Sequence, residues 1–376
     1  MARPSQTPIP CVLMRGGTSK GPFFLAGDLP SDLQLRDRVL LAAMGSPDVR
    51  QIDGVGGADP LTSKAAIISR SSRPGIDVEY LFAQVSVDRA LVDVTPNCGN
   101  MLAGVGPFAI EHGFVVPRSP TTPVTIYMVN TGNVAVAHVS TPDGQVTYEG
   151  DAAIAGVPGK SAAIRIDFLN TAGSVCGALL PTGQALDKIG EIEATLIDNG
   201  MPVVVLRAAD LDKTGYETPA ALDADQPFKS RLEEIRILAG RRMGLGDVRS
   251  KVVPKVTLIA PPRDGGHLTT RTFIPHRCHA AIGVLGAVTV GTACVLPGSV
   301  ATGMVSVAGD VVKRLSVEHP SGEFSVEFEL AETDTDEPRV VRASLIRTAR
   351  ALFRGEVLIP AKIWDGTVSR IEDGNA

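Results

Sequence analysis

Aromatic residues are scarce in this chain: they make up 4% of 376 residues, with a single Trp and four Tyr. With 39 Gly and 27 Pro beside them, the composition predicts a core of small aliphatic side chains and many strands and turns. No apolar run is long enough to span a bilayer, and Met1 to Gln6 lacks an apolar signal region, so a cytoplasmic protein without a membrane partner is expected. Excess positive charge is also missing. A formal net charge of −5 gives no reason to propose nucleic acid as a partner.

The five cysteines (Cys11, Cys98, Cys176, Cys278, Cys294) are widely spaced and form no C-x-x-C pair. Neither a disulfide framework nor a structural zinc site is indicated, and reduced thiols are expected. A phosphate-binding P-loop is absent too. Arg15-Gly16-Gly17-Thr18-Ser19-Lys20-Gly21 is rich in glycine, hydroxyls and cations but lacks the P-loop order, and a strand follows it rather than a helix.

The centre of the chain is the stretch from Thr95 to Gly113. A strand-like run from Val85 to Val94 ends at Pro96, and an apolar, Gly/Ala-rich run of helix length follows Asn97-Cys98-Gly99-Asn100. Cys98 therefore falls at a helix start, where unpaired N–H groups and the positive end of the macrodipole favour a thiolate or a bound carboxylate. The helix is uncharged until Glu111, which predicts that it is buried; a core cysteine is the competing reading of Cys98.

Elsewhere the chain reads as strands and turns. Ile9 to Met14 and Pro22 to Leu25 are strands flanking the Gly16 loop, whose donors suit a carboxylate. Asp37 to Met44 is a short helix stopped by Gly45-Ser46-Pro47. A glycine-dense loop from Gln51 to Pro60 leads to Thr62-Ser63-Lys64 at the mouth of an apolar strand, and a buried lysine there could serve as a base or simply cap a strand edge.

The second half repeats this order in weaker form. Leu196 to Leu206 is strand, Asn199-Gly200 turn, strand, and Phe273 to Ala287 is strand, Pro, Cys and a small-residue apolar helix. Gly16 to Cys98 and Gly200 to Cys278 are similar intervals. An α+β fold of two pseudo-equivalent domains is predicted, each wrapping strands around a central helix whose N-terminus points at a shared cleft. The domains are expected at 1–180, with 353–376 returning to it, and 181–352. His276, Cys278 and His279 could be read as metal ligands, but they lack a separated second pair, so no metal is expected. An acidic turn at Glu332 to Glu337, a strand-like run from Val340 to Leu352 and a weakly ordered tail from Trp364 complete the chain.

Met14 to Gly21, Gln51-Ile52-Asp53-Gly54 with Gly56-Gly57, Thr62-Ser63-Lys64 and Asn97-Cys98-Gly99-Asn100 together resemble the 2-methylaconitate isomerase family, whose fold is that of diaminopimelate epimerase. Ser71 to Asp77, Val129-Asn130-Thr131-Gly132 and Ile274 to His279 look most similar to the branch acting on 4-oxalomesaconate. The resemblance implies cofactor-free proton transfer between carbons of a small polycarboxylate, with Lys64 and Cys98 at the catalytic positions. It also implies that Arg15, Gly17, Thr18, Ser19, Lys20, Ser63, Asn97, Gly99 and Asn100, with Asn199, His276, Arg277 and Cys278 from the second half, hold the substrate. Isomerisation of 2-methylaconitate or methylitaconate, and non-catalytic tricarboxylate binding, are the alternatives, and a homodimer stays open.

Overall fold

In the structure, a computed structural model, residues 4–95, 97–169, 171–249, 251–305, 312–331 and 339–367 are described. The chain divides into two compact units, residues 1–166 with 347–376, and residues 167–346. Both boundaries fall earlier than the 180 and 352 expected from sequence. The acidic turn at 332–337 lies outside the described residues.

Unit 1 runs through β1 (Gln6–Gly16), β2 (Ser19–Leu25), α1 (Leu33–Met44), β3 (Lys64–Arg70), β4 (Val78–Val85), β5 (Val92–Asp93), α2 (Gly99–Glu111), β6 (Thr121–Met128) and β7 (Asn133–Ser140). β8 (Ile164–Leu169) spans the boundary. Unit 2 continues with β9 (Asp187–Ile189), β10 (Ile192–Asp198), β11 (Pro202–Arg207), α3 (Pro219–Ala224), α4 (Gln226–Arg242), β12 (Lys255–Ala260) and β13 (Leu268–Phe273). It closes with α5 (Val284–Val295), β14 (Val312–His319), β15 (Gly322–Ala331) and β16 (Arg339–Arg347), before β17 (Ala349–Pro360) returns to unit 1.

In unit 1 the sheet order is β17-β1-β2-β3-β4-β6-β7, with β5 on the free end of β4. α2 packs against all seven strands of that order, so the sheet curls around it. The sequence dictates this directly. Every residue from Met101 to Ile110 is buried, and an all-round apolar helix can satisfy that only inside a wrapped sheet. The glycines set how close the wrap comes: a Cβ on Gly104 would stand 2.6 Å from Phe23, and one on Gly106 would stand 2.7 Å from Val139. α1 starts four positions ahead of the expected Asp37, because the Asp32 carboxylate accepts the Leu35 amide at 2.7 Å and caps the helix there. The run from Val85 to Val94 is broken by a turn in which the Ser86 amide bonds to the Leu91 carbonyl. Trp364 is another correction. It is 7% exposed and packs into the α1-side core with Ile9, Leu40 and Ile359, so the first residue of the expected loose tail is held in the core.

Unit 2 repeats the plan, with β10-β11-β12-β13-β14-β15-β16 in order and α5 against β10, β11, β14 and β15. α5 begins at Val284, not beside Cys278 as the Pro-x-Cys pattern suggested. The Ile274 amide bonds to the Arg277 carbonyl, and Cys278 bridges back to Phe273, so this stretch is a tight turn on the strand end. No helix among the described residues is long and apolar enough to cross a membrane.

Candidate active site

The unit 1 site is built where the β1–β2 turn, the mouth of β3 and the start of α2 converge. Close backbone approach fixes the convergence: a Cβ on Gly21 would stand 1.8 Å from the Lys64 carbonyl, and one on Gly16 would stand 2.4 Å from the Asn100 carbonyl. Gly17 has φ +52°, and a Cβ there would strike the Asn100 side chain at 2.1 Å. The glycines of this loop therefore serve approach to the protein's own backbone. They press the turn onto α2 and β3.

Lys64 is 7% exposed and is the first residue of β3. Its ammonium donates to Oε1 of Gln84, the residue opposite it on β4, and lies 5.1 Å from the centroid of Phe82. The Gln84 amide nitrogen donates to the carbonyls of Pro60 and Ser63 at 3.0 and 2.9 Å, which fixes which end of the amide faces the lysine. No carboxylate pairs with Lys64 among the described residues.

Cys98 is the N-cap of α2 and is partly exposed. Its carbonyl accepts the Leu102 amide at 3.0 Å and the buried Tyr80 hydroxyl at 3.2 Å, so its backbone is pinned while its thiol caps nothing. Burial, with the neighbouring Cys98 second, pushes the Tyr80 hydroxyl well up, so Tyr80 is held as a neutral donor. The amides of Gly99, Asn100 and Met101 precede the first intrahelical bond, and no side chain caps them.

Two motifs position this start. Asn130 donates to the Phe82 and Val94 carbonyls and accepts the Phe82 amide, tying the strand end that leads to Cys98. Asn97 donates to Thr131 Oγ1 at 2.7 Å, and Asn100 donates to Thr18 Oγ1 at 3.0 Å. Ser19 Oγ, Asn97 Oδ1 and Asn100 Oδ1 are buried without a hydrogen-bond partner. Buried polar atoms are rarely left so, and two of these belong to Ser19 and Asn100, which the β1–β2 turn and the start of α2 bring together. The Lys20 ammonium bonds to no described residue and remains a free cation beside them.

Several expected contacts are spent inside the fold. Arg15 donates to the carbonyls of Gly17 and Thr348 at 2.9 and 3.0 Å and to the Thr348 hydroxyl at 3.0 Å, so it pins the turn rather than a carboxylate. Burial, then the nearby Arg350, lowers its pKa. Ser63 is fully buried, donating to the Val85 carbonyl and accepting from Gln51, whose own Oε1 holds the Ala58 amide of the glycine-dense loop. Gln51, Gln84 and Tyr80 were not among the site residues expected from the sequence. For Gln84 a usable signal existed: counting back through the β3–β4 hairpin places residue 84 opposite residue 64.

In unit 2, Asn199 is engaged by Thr171, Thr289 and Thr292 and locks the β10–β11 turn to α5. Cys278 belongs to the unit 2 core with Phe273 and Phe228, its amide held by Asp223 at 2.7 Å. Burial pushes its thiol up to about 12. Both residues are buried and engaged inside unit 2. His276 and Arg277 are exposed on the turn before α5; His276 Nδ1 stands 3.5 Å from Glu233, and the Arg277 guanidinium has no described partner. Among the described residues no three His, Cys, Asp or Glu side chains cluster as metal ligands.

The family model described as PrpF protein matches residues 6–360. A 4-oxalomesaconate tautomerase of Pseudomonas putida is 59% identical over 362 residues, covering 96% of this chain and 99% of its own. The crystal structure of a methylitaconate-delta-isomerase matches with a TM-score of 0.83 at 36% identity, covering 99% of this chain and all of its own. At 14% identity a hydroxyproline epimerase of Agrobacterium vitis matches with a TM-score of 0.53 over 96% of this chain and 95% of its own, so the epimerase fold expected from sequence is the fold observed.

Proposed function

Because the chain belongs to the PrpF protein family, we propose that it is a cofactor-independent isomerase that tautomerises 4-oxalomesaconate by a 1,3-allylic proton shift, with Lys64 and Cys98 as the proton-transfer pair. The observation that carries the substrate is the 59% identity to the Pseudomonas putida tautomerase across nearly the whole of both chains. The observation that supports the pair is local. The β1–β2 turn packs on the Lys64 carbonyl and on the start of α2 that Cys98 caps without a side-chain bond, beside the unpartnered buried oxygens of Ser19 and Asn100.

The chemistry asks for one C–H proton to be removed and one to be delivered to another carbon of the conjugated system, with the electron pair held between the two events as a dienolate. Lys64 is bonded to a neutral amide, so it can take or give a proton without breaking an ion pair. Cys98 serves the other carbon. The first-turn amides of α2, with Thr18, Ser19, Lys20, Asn97 and Asn100, hold carboxylates and the dienolate charge, as preorganised donors do most effectively in a site shielded from water. Arg15 and Ser63 shape that turn without touching the substrate. Such a reaction suits a cytoplasmic enzyme of aromatic-acid breakdown.

The test is incubation of the purified protein with 4-oxalomesaconate in deuterium oxide, followed by ultraviolet absorbance and proton NMR. Tautomerisation with deuterium entering at carbon is expected, and Lys64→Ala or Cys98→Ala should lower turnover about 10²-fold or more. Full activity in either variant sinks the pair. The 36% identity to the methylitaconate isomerase gives the second reading: if 4-oxalomesaconate is inert while methylitaconate or 2-methylaconitate isomerises, the substrate assignment falls and the chemistry stands.

A further inference from the structure

β17 is the end strand of the unit 1 sheet. It lies along β1 from Ala349 to Pro360, with Leu352 bulged out of the register, and no other strand pairs with it among the described residues. Its outer edge therefore carries unpaired backbone groups. Such edges are normally kept short, charged or covered, because they template the addition of another strand. This one is twelve residues long, and its Leu352, Phe353 and Leu358 are 46%, 57% and 53% exposed.

A second copy of β17 matches this edge when it is set antiparallel about a two-fold axis through Gly355. Residues equally far from the axis then face each other. Arg354 meets Glu356 of the second copy and Glu356 meets its Arg354, while Phe353 meets Val357 and Leu352 meets Leu358. The strand's alternation keeps these pairs in phase, with Arg354, Glu356 and Leu358 on one face and Phe353 and Val357 on the other. Arg354 reaches Glu111 at the end of α2, whereas Val357 enters the α1-side core, so the two faces are distinct. Neighbouring registers fail. An axis through Arg354 or Glu356 sets like charges directly opposite, and one through Phe353 faces Arg354 with the bulged Leu352.

The charges this partner needs are available. Glu356 is exposed and makes no hydrogen bond or ion pair with any described residue. Arg354 donates to Glu111 at 2.8 Å, yet its side chain stays mostly exposed and can serve a second carboxylate. A Cβ on Gly355 would stand 2.6 Å from the Phe353 ring, so the ring lies back over the glycine. Residue 355 brings no side chain of its own to the axis.

We propose that the protein pairs with a second copy of itself through β17, antiparallel and centred on Gly355. The pairing rests on unit 1 alone and is independent of the reaction proposed above.

Sedimentation velocity on the full chain at micromolar concentration tests it, with circular dichroism to establish that each variant is folded. Wild type should be a dimer. Arg354→Glu puts two carboxylates at each contact and Glu356→Arg puts two guanidinium groups there, so each variant alone should dimerise about tenfold or more weakly. An equimolar mixture of the two restores opposite charges at both contacts, and the dimer should return. That rescue is specific to the Gly355 register. A mixture of folded variants that stays monomeric, or either variant dimerising as wild type does, overturns the proposal. So does a monomeric wild type, including one whose edge takes up a foreign extended peptide instead.

Discussion

Lys64 and Gln84 face each other across β3 and β4, and the amide of Gln84 is oriented by two backbone carbonyls so that only its oxygen meets the lysine. The partner of this buried amine is therefore neutral and fixed.

Replacing that amide by a carboxylate should change the chemistry more than the fold. In Gln84→Glu an ion pair holds the ammonium charged and must be broken at every turnover. Turnover near neutrality should fall about tenfold or more, and the alkaline shift of the pH–rate profile should recover part of it. A profile identical to wild type would remove Gln84 from the mechanism.

The thiols should separate sharply under alkylation. Burial raises Cys11, and it pushes Cys176, Cys278 and Cys294 up to about 12, with Asp198 contributing at Cys176 and Asp223 at Cys278. All four are overwhelmingly protonated at pH 8, and the protonated thiol is not the nucleophile. Iodoacetamide at pH 8 should label Cys98 first, and tricarballylate, a saturated tricarboxylate that cannot tautomerise, should slow that labelling. Peptide mapping by mass spectrometry reads both effects, and early labelling at Cys278 would contradict its place in the core.

Gly21 is a stability probe of the site's construction. Its missing Cβ is what lets β2 approach the Lys64 carbonyl, and backbone cannot give way as a flexible side chain can. Gly21→Ala should cost about 3 kcal/mol in denaturant unfolding, as overpacking does. Gly27→Ala, where a Cβ meets nothing within 4 Å, is the control and should leave stability within about 0.5 kcal/mol.

Lys255 should leave a signature in stability against pH. Its pKa is lowered by burial from 10.5 to about 8, so between those values the unfolded chain holds a proton that the folded chain has released. Stability contributed by this group therefore rises as pH goes from about 8 towards 10.5, and the full penalty, of order 3 kcal/mol, applies below pH 8. In carboxylate-free buffer, Lys255→Met should raise the melting temperature clearly at pH 7 and hardly at pH 10. An equal rise at both would show that the ammonium is not desolvated.

Much was decided by the sequence alone. The uncharged Gly/Ala run after Cys98 admits no exposed face, so it had to be a central helix inside strands, and the Gly-turn spacing of the two halves announced a repeat. The helix start at Cys98 and the buried lysine opening β3 were legible for the same local reasons. What only tertiary structure decided is how polar atoms are spent. Arg15, Ser63 and Asn199 are suited by composition to a ligand, yet their hydrogen bonds close onto Thr348, Val85 and Thr292, partners between 22 and 333 residues away that no local pattern specifies. The true counterparts across the repeat were hidden for the same reason. Spacing paired Cys98 with Cys278, whereas strand pairing sets Lys255 against Lys64 and Gly283 against Cys98, because a turn of variable length before α5 shifts sequence position without shifting the helix start.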